Sequence, residues 1–452
     1  MGLIILLPVL IFFLLLNRSL YRLYRHPLSS IPGPKLAACT SLWLAYHTYI
    51  GDECSTLFAL HQKYGQVLRI APNDIDIASG DAIEPIYLAR GGFPKTPVYS
   101  KFDIDGHSTI FSTLTLPERA SRAKAVAPLF STASIRNSQE TLLGVVDDFV
   151  ERLRQGSQSG RPVNVLGLAR AMAIDAVSAY LFQERYGALD ESAGVMSASP
   201  FVDAYVGVGA FFNFAYGRVG ELLVGLSFTE IDGYTSRLVK QADPESGSYQ
   251  SRLLERVPPG QTQIEIKDVC FAGTDSTGMN TATLIWYLAK YPKIYTNLRI
   301  ALQNNPPDVD PLSTPYLRAV VREGLRLSWA NPIRLPRSVP AGGWKYKSYF
   351  FPAGTSVGVS AWQLHQEESV FPDPLSFKPE RWLEPNLTVD MLTNFFAFGK
   401  GTRACIAQNL GTAEVTLAIW KVAVEDVLKG ARILEWFNSR VEGEEILVQW
   451  DL

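Results

Sequence analysis

The sequence predicts a mainly α fold with small β-sheets, an α+β chain, on three observations. Apolar residues recur at three- and four-residue spacing through 52–64, 82–89, 118–129, 138–154, 165–182, 201–226, 264–291, 293–303 and 315–328, the period of helices with one buried face. Short strand-like runs interrupt them at Val67–Ile70, Ile75–Ile77, Thr355–Val359 and Ile446–Trp450. After residue 35 no internal repeat or low-complexity stretch divides the chain.

A length of 452 residues sets a soft expectation of about three domains. A hydrophobic share of 47% supplies a sizeable core and excludes a disordered chain. Lys and Arg number 42 against 44 Asp and Glu, so there is no basic footprint for nucleic acid. Charged residues make up 19%, below the roughly 25% of an average soluble domain, which points toward a membrane. Cys39, Cys54, Cys270 and Cys405 are too few for a disulfide scaffold and form no zinc-type spacing.

Leu3 to Leu16 is an apolar run broken only by Pro8. As helix it reaches about 21 Å, short of the roughly 30 Å hydrocarbon core of a bilayer. No basic residue precedes the run and no small-residue cleavage site follows it, which argues against a cleaved signal peptide. Arg18, Arg22 and Arg25 come directly after, and the positive-inside tendency keeps the chain beyond them in the cytoplasm. Residues 1–20 are therefore expected to form a membrane anchor and 21–34 a basic, proline-rich linker through Ile31-Pro32-Gly33-Pro34. Residues 35–452 are expected to form one body beyond the linker. Gly156 to Gly160 and Asp243–Ser248 read as surface loops. The apolar segment 201–226 reads as a core helix pair, with a lipid-facing or substrate-entry surface as the alternative.

The most informative stretch is Phe398-Gly399-Lys400-Gly401-Thr402-Arg403-Ala404-Cys405-Ile406-Ala407. Two glycines permit positive φ just before a cysteine. Arg403 and a helix starting after Cys405 would both lower the thiol pKa, giving a thiolate suited to metal. The alternative is a buried structural cysteine.

This loop resembles that of the cytochrome P-450 family, the haem-thiolate monooxygenases, which reads Phe-x-x-Gly-x-Arg-x-Cys-x-Gly. Phe398, Gly401, Arg403 and Cys405 match it, and Ala407 departs from the final glycine. The resemblance runs from about His26 to the C-terminus with its motifs in family order. It implies the family's fold, haem b as cofactor, Cys405 as axial ligand of the haem iron, Phe398 beneath the ring and Arg403 on a propionate. Glu323 and Arg326 match the family's Glu-x-x-Arg helix. Arg381, in Pro379-Glu380-Arg381-Trp382, completes a buried cluster behind the haem loop. Glu151 and Arg154 share the spacing but not the context.

Thr262 to Tyr291 is the longest helical signal, with Thr262 and Glu265 at capping-box spacing and Pro292 beyond its end. Its middle, Ala272-Gly273-Thr274-Asp275-Ser276-Thr277-Gly278, is poor in helix formers. Alone this reads as a small-residue helix crossing; with Cys405 downstream it resembles the family's oxygen-activation motif. The resemblance implies that Ala272 and Gly273 let the helix approach the porphyrin. Asp275 and Ser276 then deliver protons where the backbone ladder opens. Ser276 stands for the usual Thr.

Arg337 matches the family's propionate-binding strand. On the propionate-binding helix Arg119 replaces the usual Trp or His and Ala123 the usual Arg, so Arg122 and Lys124 are carried as substitutes. The pocket is expected from 98–116, 201–226, Phe271, Ala272 and 329–335, including Ile333. His107 or Arg334 would meet a polar substrate group.

Mostly apolar lining favours a lipophilic small molecule. Motif style resembles fungal members of secondary metabolism. Dioxygen is the co-substrate. No dinucleotide or flavin motif appears, so the partner implied is a membrane-bound NADPH–cytochrome P-450 reductase, drawn to cations such as Lys400 and Arg403. The implied location is the endoplasmic reticulum membrane. Two rivals stand beside this: a haem-thiolate isomerase or dehydratase needing no external electrons, and a non-catalytic haem-binding protein. The Asp275–Ser276 pair argues against the first. With 47 residues after Cys405, the resemblance implies an abbreviated substrate-contacting hairpin, expected around Glu444–Trp450. Motifs from 272 to 405 converge on one haem, so one domain replaces three.

Overall fold

A helix that is apolar around most of its circumference belongs in an interior, and Val165–Phe182 is such a helix, with Arg170 and Asp175 buried on it in paired positions. It has the length and composition to cross a membrane, yet 83% of it is buried. It packs along Pro259–Lys290, a helix of 32 residues. Gln139–Gln158, Pro315–Leu327 and Gln408–Val424 complete the helical layer around this pair. The structure, a computed structural model, describes residues 2–450 except 192–196, 198, 200, 201, 204–212, 214–228, 307, 329, 430 and 434–445. The 201–226 reading lies outside the described residues apart from Val202, Asp203 and Asn213, as does the Glu444 end of the C-terminal hairpin.

Small residues set the central crossing. A Cβ on Gly278 would lie 2.9 Å from Arg170 Cα, and one on Gly273 would lie 3.1 Å from Val177 Cγ2. Both glycines of the 272–278 run therefore admit the neighbouring helix, whereas Ala272 is exposed to a cavity on the other side. The long helix also starts earlier than expected, at Pro259, where proline costs no hydrogen bond. Thr262 and Glu265 are thus buried inside its first turns and are not a cap.

The main sheet runs in the order Val67–Ala71, Asp74–Ile77, Ser356–Gly358, Arg337–Ser338. Its middle pair is parallel and its outer pairs antiparallel. A bridge joins Lys95 to Arg337, which sets two cations side by side at the sheet edge. Arg337–Ser338 and the hairpin Trp344–Tyr346/Tyr349–Phe351 escaped the sequence reading because two or three residues carry no readable period.

The N-terminal helix runs unbroken through Pro8 from Gly2 to Tyr24, and its side chains from Val9 to Leu16 are exposed. Residues 21–34 are not the stiff linker expected to separate the anchor from the body; 21–24 instead continue the first helix and 25–34 pack onto the body. Leu28 and Ile31 are buried against the main sheet, and Arg69 N–H donates to Pro32 O at 2.8 Å. The pyrrolidine rings stiffen a segment that is part of the body.

Gly278→Ala is expected to lose about 1–3 kcal/mol, the cost of overpacking a close helix contact. Gly260→Ala, where a Cβ would meet nothing within 4 Å, should lose none. Urea unfolding of the two variants checks the difference.

Candidate functional site

Gly399 and Gly401 take φ of 63° and 77°. A Cβ at Gly401 would lie 1.8 Å from Tyr87 O, so only glycine fits both the backbone angle and the space. Cys405 N–H donates to Phe398 O at 2.9 Å, and Thr402 Oγ1 donates to Gly91 O at 2.6 Å. These bonds turn Cys405 toward a cavity of about 620 Å³, whose wall includes Phe398, Ala404 and Ile406. The next helix, Gln408–Val424, begins three residues later.

The thiol differs from the sequence expectation. Cys405 is exposed to the cavity, and the protein packed around it pushes its pKa up, with the Ala407 amide acting the other way. Arg403 does not offset this. Its guanidinium points to Thr113 O and Leu114 O, at 2.7 and 2.8 Å.

Phe271, Ala272, Asp275, Ser276 and Ile333 line the same cavity. Ser276 Oγ donates to Ala272 O at 2.7 Å, within a helix that is not interrupted there, contrary to the expected opening. Asp275 is ion-paired: Arg170, from Val165–Phe182, donates to its Oδ1 at 2.7 and 3.1 Å. Glu414, unnoticed in the sequence, lies buried on the wall and accepts from Thr277 Oγ1 at 3.2 Å. Burial pushes its carboxyl up to about 8.

Six cations line this space; Arg326 and Arg334 are held by Glu323 and Asp74, which leaves four, Lys95, Arg119, Arg337 and Arg403. Among the described residues none is ion-paired. Burial and then the Arg337, Arg403 and Arg119 charges push Lys95 well below the ordinary lysine range. Burial, then Arg119 and Arg337, lower Arg403 to about 10.

Two expected cations are not among them. Arg122 lies outside the cavity wall, ion-paired with Glu265 and donating to Ser108 O and Thr113 Oγ1. Lys124 is exposed. Arg119, three positions before Arg122 on Leu116–Val126, takes the inward direction instead. Lys95 gave no sequence signal because its place depends on the bridge to Arg337. His107 is likewise corrected: it is exposed beside a second pocket with Asp105, Arg122 and Lys267. Arg334 touches the cavity wall, but its guanidinium is held by Asp74 at 3.1 Å and Ser356 Oγ at 3.3 Å.

Behind the cysteine loop, Glu323 is fully buried. Its oxygens accept from Arg326 Nε and Nη2 at 2.9 and 2.8 Å, and from Arg381 Nε at 3.0 Å. Trp382 Nε1 at 2.8 Å and Lys378 N at 3.0 Å complete its shell. The sequence named the three charged members; Trp382 and the Lys378 amide need the fold.

A family model described as Cytochrome P450 matches residues 31–219 and 248–422. The chain belongs to the cytochrome P450 family. It is similar to cytochrome P450 monooxygenase mfmF of Annulohypoxylon moriforme, 34% identical over 98% of this chain and 99% of that one. Pisatin demethylase of Fusarium vanettenii is 26% identical, over 88% and 83% of the two chains. The fusicoccadiene C-8 hydroxylase of Alternaria brassicicola is 27% identical, over 91% and 88%. Among solved structures, the cytochrome P450 CYP102L1 superposes with a TM-score of 0.72 at 16% identity, covering 89% of this chain and 98% of that one, which shows the P450 fold. As a P450 it is a haem enzyme and an oxidoreductase of the monooxygenase class.

Glu414 gives a pH prediction. Its folded-state pKa, about 8 against an ordinary 4.5, means that the folded protein holds a proton the unfolded chain releases. Stability therefore falls as pH rises between those values. Glu414→Gln should flatten that fall in urea midpoints measured across the range.

Proposed function

We propose that this P450 is a haem-thiolate monooxygenase that takes electrons from an NADPH-dependent cytochrome P-450 reductase and oxidises a lipophilic small molecule in fungal secondary metabolism. One observation carries the reading: Cys405 opens on the same cavity as four cations that form no ion pair among the described residues. Haem b suits both, with an iron for the sulfur and two propionates for the cations. Cys405 would then hold the haem iron through its sulfur, with Gly401 and Phe398 shaping the loop beside it. Lys95, Arg119, Arg337 and Arg403 hold the propionates. When bound, haem with a thiolate ligand supplies dioxygen activation and favours O–O cleavage.

This chain's own residues do the rest. Ala272 keeps the helix face low beside the haem, and the Gly273 contact with Val177 holds that helix in place. Ser276 Oγ passes a proton into the cavity, turning from its bond to Ala272 O. Arg170 keeps the Asp275 carboxylate oriented; on leaving Arg170, that carboxylate takes a proton from solvent water and passes it to Ser276, which restores the one given up. Glu414 holds a further proton beside Thr277 near neutral pH. Phe271, Ile333, Phe102 and Phe111 exclude water and select apolar substrates. The demethylase and hydroxylase names of fungal relatives support small-molecule oxidation.

Residues 1–20 anchor the protein in the endoplasmic reticulum membrane and leave the body in the cytoplasm, where the reductase supplies electrons. Support comes from the exposed Val9 to Leu16 side chains on a helix of about 35 Å, long enough for a bilayer core. The residue pair Asp275–Ser276 favours dioxygen chemistry over the electron-independent isomerase or dehydratase.

The reduced, carbon-monoxide-bound protein should absorb at the family's long-wavelength position, and Cys405→His should abolish that band. A band that survives the substitution removes Cys405 as ligand. Arg119→Ala should speed haem transfer to apomyoglobin by about tenfold, the worth of one charged hydrogen bond. Lys124→Ala should leave the transfer rate unchanged.

A further inference from the structure

The guanidiniums of the Glu323 cluster do not reach the cysteine loop. Arg326 Nη1 donates to His365 O at 2.7 Å, and Arg381 donates to Pro372 O and Asp373 O at 3.0 and 3.3 Å. Something else must join the cluster to the segment that starts at Phe396.

His365 ends the short helix Ala361–His365 and is buried between the two. Phe396 N–H donates to its Nε2 at 2.9 Å, so that nitrogen carries a lone pair. The proton then sits on Nδ1, which donates to Arg326 O at 2.8 Å. Each ring nitrogen thus has one role, and the tautomer is fixed from both sides. A proton on Nε2 would break the Phe396 bond. Burial and the Arg326 charge push the imidazole down to about 3, which keeps it neutral. The ring stacks on Phe395 at 5.7 Å and 18°, which fixes its plane.

Phe396 is the root of the loop. Its carbonyl accepts from Gly399 N at 2.9 Å, and its ring packs on Tyr87 at 5.1 Å. Tyr87 O is the atom against which Gly401 is pressed.

We propose that His365 is a positioning residue for Cys405: a neutral imidazole in a single tautomer that transmits the placement of the Glu323–Arg326–Arg381 cluster to the backbone of Phe396 and so to the thiolate loop. The inference rests on the proposed ligand role of Cys405.

The test uses full-length holoprotein with His365→Gln, His365→Asn and His365→Leu. A glutamine amide reaches the place of Nε2 and can accept from Phe396 N–H. An asparagine amide reaches only the place of Nδ1, and leucine offers neither. The readout is the ratio of thiolate-ligated to thiolate-free reduced carbon-monoxide signal in the folded, haem-containing fraction. His365→Gln should stay near the wild-type ratio. His365→Asn and His365→Leu should move it toward the thiolate-free form by about tenfold, the effect of leaving one buried amide without its acceptor.

A role limited to stability would lower the yield of all three and leave the ratio alone. His365→Asn at the wild-type ratio overturns the inference. Wild-type protein without the thiolate signal overturns the ligand reading of Cys405 instead. Hydrogen exchange on wild-type protein decides the matter should the variants not accumulate. The Phe396 amide should exchange as slowly as the helix Pro315–Leu327, and fast exchange there overturns the inference.

Discussion

Lys95, Arg119, Arg337 and Arg403 converge on one cavity, and like charges held together in a low-dielectric interior repel one another. The repulsion is visible in the lowered pKa values of Lys95 and Arg403, each shifted by burial and by neighbouring cations. Carbonyls and aromatic faces offset part of it. Arg403 takes two backbone oxygens, Arg337 takes Tyr99 Oη at 3.0 Å, and Lys95 sits 4.0 Å above the Tyr99 ring. None of these supplies a negative charge. Asp268, on the same wall, acts on Lys95 alone of the four; on the proposed reading the two carboxylates of a bound haem would offset the rest and tie the cavity wall, the sheet edge and the cysteine loop to one occupant.

The opposite constraint governs the rear of the loop. There one carboxylate, Glu323, is enclosed by two guanidiniums, an indole N–H and a backbone amide. A fully satisfied buried cluster is rigid, and removing one member strands charge at a cost of about 3–5 kcal/mol. Rigidity is useful only where it is transmitted. Glycines at 399 and 401, threaded past Tyr87, make the loop a path with little freedom once its root at Phe396 is fixed. The front of the site is tuned to an anion and the rear is closed on itself, so the cysteine between them answers to both.

What was legible in the sequence was what depends on local geometry. Gly399 and Gly401 announce positive φ, and Glu323 with Arg326 is a pair one helical turn apart. Val165–Phe182 is legible as a helix from its apolar spacing, while its place in the interior is a finding of the fold. The failures concern direction and distance. Arg119 and Arg122 lie on one short helix, and a rotation of about 100° per residue decides which faces the cavity. Period alone could not fix that rotation because Leu116–Val126 has few apolar residues to orient it. Lys95, Arg170 and Glu414 gain their places through contacts across more than a hundred residues, and Trp382 and His365 through contacts 31 to 59 residues apart, none of which leaves a periodic trace. The 272–278 run carried both of its readings: its glycines serve the helix crossing, and Ala272 and Ser276 face the cavity.

The charge requirement of the cavity can be measured without substrate or reductase. Apoprotein titrated with haem and with haem dimethyl ester, whose propionates are neutral, compares the same ring with and without its anions. If the four cations hold the propionates, the ester binds at least about thirtyfold more weakly, as expected when buried charge pairs lose one partner. Equal affinity for the two would contradict an anion-binding role for Lys95, Arg119, Arg337 and Arg403.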